Sequence, residues 1–148
     1  MDLFCRFDRE IVFVHGMFMT PLCWNMYLRE FAGFGFDCMA PPWPGRDWND
    51  VDMRNKNGEY FQSLRTLRLR DVVERYESLV ADMPMKPEVI GHGMGGLVAQ
   101  ILLARNEVCA AVALNSMPPQ GVRAMLFFSP MSSLLKLVMT GVRILTEA

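Results

Sequence analysis

Alternating strand and helix signals predict an α/β fold, a three-layer sandwich with a mostly parallel central sheet. Two observations carry this reading. The strand candidates are continuous apolar runs, the pattern of strands covered on both faces. Segments of helical period separate them, and parallel neighbours then need right-handed crossovers through those helices.

Ile11-Val12-Phe13-Val14 is the first strand, and it ends at His15-Gly16. Thr20-Pro21 offers an N-cap and a proline at the first helical position, so a helix follows over residues 21–32. Gly33 and Gly35 close it. Phe36-Asp37-Cys38-Met39-Ala40 is the second strand, stopped by Pro41-Pro42. Residues 42–64 show no clear period and read as a long loop, a kind of segment that is usually functional. From Leu69 the apolar positions Val72, Val73, Tyr76, Leu79, Val80 and Met83 keep helical spacing until Pro84 and Pro87. Pro87-Glu88-Val89-Ile90 is a short buried strand, followed by a sharp glycine turn and a helix over residues 97–105. Cys109-Ala110-Ala111-Val112-Ala113-Leu114 is the fourth strand, and a last helix starts at Ser129-Pro130.

The 148 residues, 51% hydrophobic and 21% charged, fit a single domain with a real core and exclude a disordered chain. A net charge of −1 gives no general attraction to nucleic acid or to an anionic membrane. Cys5, Cys23, Cys38 and Cys109 lack metal-ligand spacing and read as buried free thiols, so neither a zinc site nor a disulfide framework is expected. Free thiols and an N-terminus without the order of a signal peptide make a cytoplasmic setting the expectation. The apolar residues 122–145 are interrupted by Arg123, Pro130, Lys136, Gly141 and Arg143, too broken for a membrane span.

The turn Gly91-His92-Gly93-Met94-Gly95-Gly96 admits three readings. It satisfies the dinucleotide pattern G-x-G-x-x-G through Gly91, Gly93 and Gly96. That pattern expects an acid about 20 positions on, where the chain has Leu114-Asn115-Ser116, and it opens its fold, whereas two strands precede it here. A packing turn without chemistry is the second reading. The third is a nucleophile elbow, G-x-S-x-G, with Gly93 at the serine position.

The remaining motifs favour the elbow. Phe13-Val14-His15-Gly16-Met17 is similar to the oxyanion loop of the α/β-hydrolase family, and Ala40-Pro41-Pro42-Trp43-Pro44-Gly45-Arg46 to its proline-glycine segment. The turn itself differs from that family's common G-H-S-M-G-G at one position, and Asn115-Ser116-Met117-Pro118-Pro119 resembles the point where these proteins leave the sheet for a cap. The resemblance spans about residues 10–125. It implies one truncated α/β-hydrolase-like domain, with a core over residues 10–121 and a cap start or helical tail over residues 122–148.

In that family a serine attacks an acyl carbonyl, a histidine takes its proton, and an acid orients the histidine. Backbone N–H groups hold the oxyanion; here the resemblance places them on Met94 and on Met17 or Phe18. Gly93 supplies no nucleophile, and the family's acid and histidine lie on later strands, past the cap. His15 and His92 are the chain's two histidines, structural in the resemblance, with His92 the alternative catalytic candidate. His15, Gly16, Phe18, Trp43 and Ser116 are the expected substrate pocket, although a turn or cap role is the commoner one for a serine placed like Ser116. No cofactor or metal is implied.

The expectation is therefore a relative of carboxylic-ester hydrolases of small apolar acyl substrates, inactive or weakly active. Residual catalysis of about 10³–10⁴-fold over water can survive loss of a triad member. The alternatives are a non-catalytic binding protein on the same scaffold and a hydrolase using His15, His92 or a second subunit. A homo-oligomer is expected, because the apolar fourth strand would form an exposed edge unless residues 125–145 or a second copy covered it.

Overall fold

Ile11, Val12, Phe13 and Val14 of β1 (Glu10–Val14) are all buried, and such a strand must be covered above and below. The computed structural model describes residues 10–44 and 66–119. Along them β1 is followed by a single 3-10 turn (Pro21–Trp24), α1 (Asn25–Gly33) and β2 (Asp37–Met39), then α2 (Leu69–Ala81), β3 (Glu88–His92), α3 (Met94–Ala104) and β4 (Ala110–Leu114). The expected helix from Ser129-Pro130 and most of the expected long loop lie outside the described residues.

All the strands pair in parallel, in the order β2-β1-β3-β4. The first crossover runs outward from β1 to β2, and the chain then returns to place β3 on the other side of β1. The strand order therefore reverses between β1 and β3. Crevices at the carboxyl ends of such strands are where open α/β sheets bind ligands. Here those ends carry His15-Gly16 and His92-Gly93.

Two cores fill the layers. Val12, Val14 and Val89 pack on Val72, Val73, Tyr76 and Val80 of α2 and on Val98, Ala99 and Leu102 of α3. On the other face Ile11 and Phe13 meet Trp24 and Phe31, with the Phe13 ring 5.0 Å from Trp24 and edge-on to Phe31 at 5.6 Å. Cover of both faces is complete only around β1. On the α1 side of the sheet Ile90 is half-buried and its neighbour Val112 is 48% exposed. No described element reaches that part of β4.

The helix ends differ instructively from expectation. Thr20 is extended and makes no side-chain cap; the proline after it starts a 3-10 turn, which delays the α-helix to Asn25. α1 closes in a Schellman motif: Gly35, at φ +91°, donates to Ala32 O, and Phe36 N–H donates to Phe31 O. Phe31 and Phe36 supply its apolar contact, with ring centroids 5.9 Å apart. Asn106, at φ +59°, ends α3 in the same way. The cysteines are also less buried than expected: Cys23 and Cys38 are half-buried and Cys109 is exposed, all three as free thiols.

α3 begins at Met94, three residues before the expected start at 97, so Gly95 and Gly96 are helical. They are small for reasons of space. A Cβ on Gly95 would lie 2.2 Å from Val14 O and 2.7 Å from His15 O, and one on Gly91 would lie 2.1 Å from Gly95 O. The first turn of α3 thus rests directly on the backbone of β1 and β3. Gly95→Ala is expected to cost about 3 kcal/mol or to prevent folding. Gly33→Ala, whose Cβ meets nothing within 4 Å, should be neutral or add about 0.5 kcal/mol. Urea midpoints of the two variants check both values.

Candidate functional site

Between β3 and α3 the chain turns on one residue, Gly93, at φ +60° and ψ −116°. The turn is held from several directions. Gly93 N–H donates to Leu114 O (3.0 Å), and Gly93 O accepts from Met117 N–H (3.0 Å) and Leu97 N–H (3.4 Å). A side chain in this conformation is strained, which glycine avoids. Yet among the described residues a Cβ on Gly93 would meet only Gly16 Cα, at an ordinary 3.9 Å. The turn's other glycines, Gly91, Gly95 and Gly96, are needed for space; Gly93 alone is needed only for its conformation.

Facing the turn is the loop after β1. His15 is buried, and its Nδ1–H donates to Gly16 O at 2.9 Å. Trp43, 2% exposed, stacks on the His15 ring with centroids 4.9 Å apart and planes 20° apart. Two residues earlier, Pro41 O accepts from Tyr76 Oη–H at 2.7 Å. Burial pushes the Tyr76 hydroxyl well above the usual tyrosine range, so it stays a donor. A line of contacts therefore runs from α2 through Pro41 and Trp43 to His15 and the Gly16 backbone beside Gly93.

A cleft of about 240 Å³, counting the space at its mouth, opens beside this line. Met17, Trp43, Leu67, Arg68, Leu69, Val72 and Met94 line it. Met94 is the first residue of α3, where N–H groups have no intrahelical acceptor. Of the expected pocket residues Trp43 lines the cleft, together with the two expected oxyanion residues Met17 and Met94. Phe18 is 58% exposed and outside the lining. His15 lies beneath Trp43, and its contribution is to support that wall.

Ser116 is engaged elsewhere. Its hydroxyl accepts from Gln100 Nε2 at 2.6 Å and donates to Met117 O at 2.8 Å, and it packs where a Cβ on Gly96 would be. It therefore fixes the exit from β4 and does not line the cleft. His92 alternates with Gly91 along β3, so it faces the α1 side of the sheet, in register with Leu114. Its Nδ1 is buried near Gly16 with no partner among the described residues. Neither histidine lines the cleft.

The residues that reading the sequence missed are Leu67, Arg68, Leu69 and Val72. Leu69 and Val72 share the apolar face of α2, which gave their burial and not their neighbours. Arg68 lies just ahead of that helix, and no pattern in the sequence marks it. Burial raises the Cys23 and Cys38 thiols above their ordinary values, which keeps them protonated and poor nucleophiles. No cluster of three or more His, Cys, Asp or Glu side chains suited to a metal occurs among the described residues. Nor is any described helix long and apolar enough to cross a membrane.

Residues 11–145 match the family described as "Alpha/beta hydrolase family". Among solved structures the chain is similar to an extracellular alpha/beta-hydrolase from a Paenibacillus species, at 17% identity and a TM-score of 0.62 over 88% of this chain and 50% of that one. It is also similar to the thioesterase domain from the curacin biosynthetic pathway, at 14% identity and a TM-score of 0.58 over 92% and 44%. A variant of tomato Methylketone Synthase I complexed with beta-ketoheptanoate matches at 19% identity and a TM-score of 0.58 over 95% and 49%. These likenesses show the fold, and the chain spans about half the length of each structure. No curated protein matches the sequence.

The open space at position 93 makes a specific expectation. Gly93→Ser should fold, losing about 1–2 kcal/mol to the positive φ and nothing to a clash. Chemical denaturation would measure the loss; a cost as large as that of Gly95→Ala would show the space to be closed.

Proposed function

The chain belongs to the α/β-hydrolase family, and from that premise we propose that it binds small apolar acyl ligands at the family's site without efficiently cleaving them. The observation that carries this reading is Gly93 itself. It keeps an elbow's conformation and a view of Gly16, and it has no hydroxyl or thiol to attack a carbonyl.

The expected catalytic frame divides into parts that depend on side chains and parts that do not. Oxyanion donors are backbone N–H groups, so Met94 N–H at the start of α3, and Met17 N–H in the facing loop, suit a polarised carbonyl oxygen. With no nucleophile at 93, the remaining route is direct attack by water on that polarised carbonyl. Such a route is slow, on the order of 10³–10⁴-fold over water in systems that have lost a triad member. His15 and His92 both lie outside the cleft lining, which argues against a substitute catalytic base from either.

Ligand size follows from the cleft. The cleft is shallow, and its roughly 240 Å³ includes open solvent at the mouth, so it takes up at most a short acyl chain. The walls Met17, Leu69, Val72 and Met94 are apolar, and methionine adapts to chains of differing shape. Beta-ketoheptanoate, held by the methylketone synthase neighbour, is an acyl acid of that scale.

Self-association belongs to the same proposal. Val112 and Leu114 of β4 are 48% and 36% exposed on the sheet face that α1 leaves bare, and a second copy could cover them.

Two experiments bear on this function. Calorimetric titration with short-chain esters should show saturable binding, and a p-nitrophenyl butyrate assay should show no acyl-enzyme burst. Turnover at an ordinary enzyme's rate, about 10 s⁻¹, or no binding at all, would overturn the proposal. For self-association, light scattering should give a mass that rises with concentration; one constant monomer mass refutes it.

A further inference from the structure

The cleft is apolar with one exception. Among the described residues Arg68 is its sole charged lining residue, and it sits at the N-cap of α2, beside Leu69 and Leu67. Its guanidinium has no carboxylate partner among the described residues. The nearby acid, Asp71, accepts from the backbone N–H of Arg68 at 2.8 Å and so caps the helix. The same cleft wall includes Trp43, whose buried Nε1–H has no acceptor among the described residues.

A shallow apolar cleft, with an exposed cation at its rim that has no partner among the described residues, is complementary to an amphiphile with one negative end. We propose that the cleft selects the free carboxylate form of a short apolar acyl chain over its neutral esters and amides, with Arg68 holding the carboxylate. This deepens the acyl-binding reading and rests on it. Arginine suits the task because its planar fork meets both oxygens of a carboxylate at once. The chain of the acid would lie along Met17, Leu69, Val72 and Met94. An ester has no charge for Arg68 and gains only the apolar contacts.

The test compares hexanoate with hexanamide, its neutral isostere, by calorimetry on the full chain. Wild type should bind hexanoate roughly tenfold more tightly, a preference that shrinks as salt is raised. Arg68→Gln should erase the preference while keeping the affinity for hexanamide, and Arg70→Gln, on an exposed position of the same helix, should leave both unchanged. Circular dichroism confirms that each variant folds; should Arg68→Gln not fold, the wild-type preference and its salt dependence decide alone. Equal binding of acid and amide by wild type, or a preference that persists in folded Arg68→Gln, overturns the role of Arg68 and leaves the acyl-binding reading intact. Binding of neither ligand overturns both.

Discussion

The architecture depends on one contact between backbones. Gly95 at the start of α3 meets the carbonyls of Val14 and His15 so closely that a single added carbon atom would overlap them. Gly91 does the same for β3 against α3. These approaches set the height of the helix over the sheet, and through it the packing of Val98 and Leu102 on Val12 and Val89. They also decide where Gly93 and Met94 stand relative to Gly16 and Met17. Fold and candidate site share one cause.

Much of this was legible because the relevant signals are local. Four apolar residues in a row at 11–14 can only be a strand covered on both faces, and the period from Leu69 to Val80 can only be an amphipathic helix. The glycine string announced a sharp strand-to-helix turn. It could not show which glycines serve space and which serve conformation, since that depends on atoms of β1 about 80 residues away in sequence. Asn106 as a helix terminator was missed for a simpler reason: asparagine takes positive φ less often than glycine, and its neighbours gave no cue.

The site was legible in its glycines and not in its walls. Met17, Trp43 and Met94 adjoin recognisable motifs, so they could be named in advance. Arg68 and Val72 reach the cleft only because α2 crosses the sheet at a particular angle, which no local pattern encodes. Ser116 was open to two readings. A polar residue at a strand end invites a functional role, but Gln100 lies one helical turn from Gly96 and takes up its hydroxyl. Among the described residues β4 is the outer strand, and no described element covers Val112 on its α1 side.

The contacts from Tyr76 through Pro41 and Trp43 to His15 have a consequence for how the molecule opens. Loops at ligand sites usually unfold locally at little cost, independently of the core beneath them. Here Pro41, just after β2, is tied to a buried hydroxyl of α2, and the loop after β1 lies under a buried indole and against the first turn of α3. Neither can leave without exposing core side chains. The amide protons of these two segments should therefore exchange with solvent through the same cooperative opening as the sheet's.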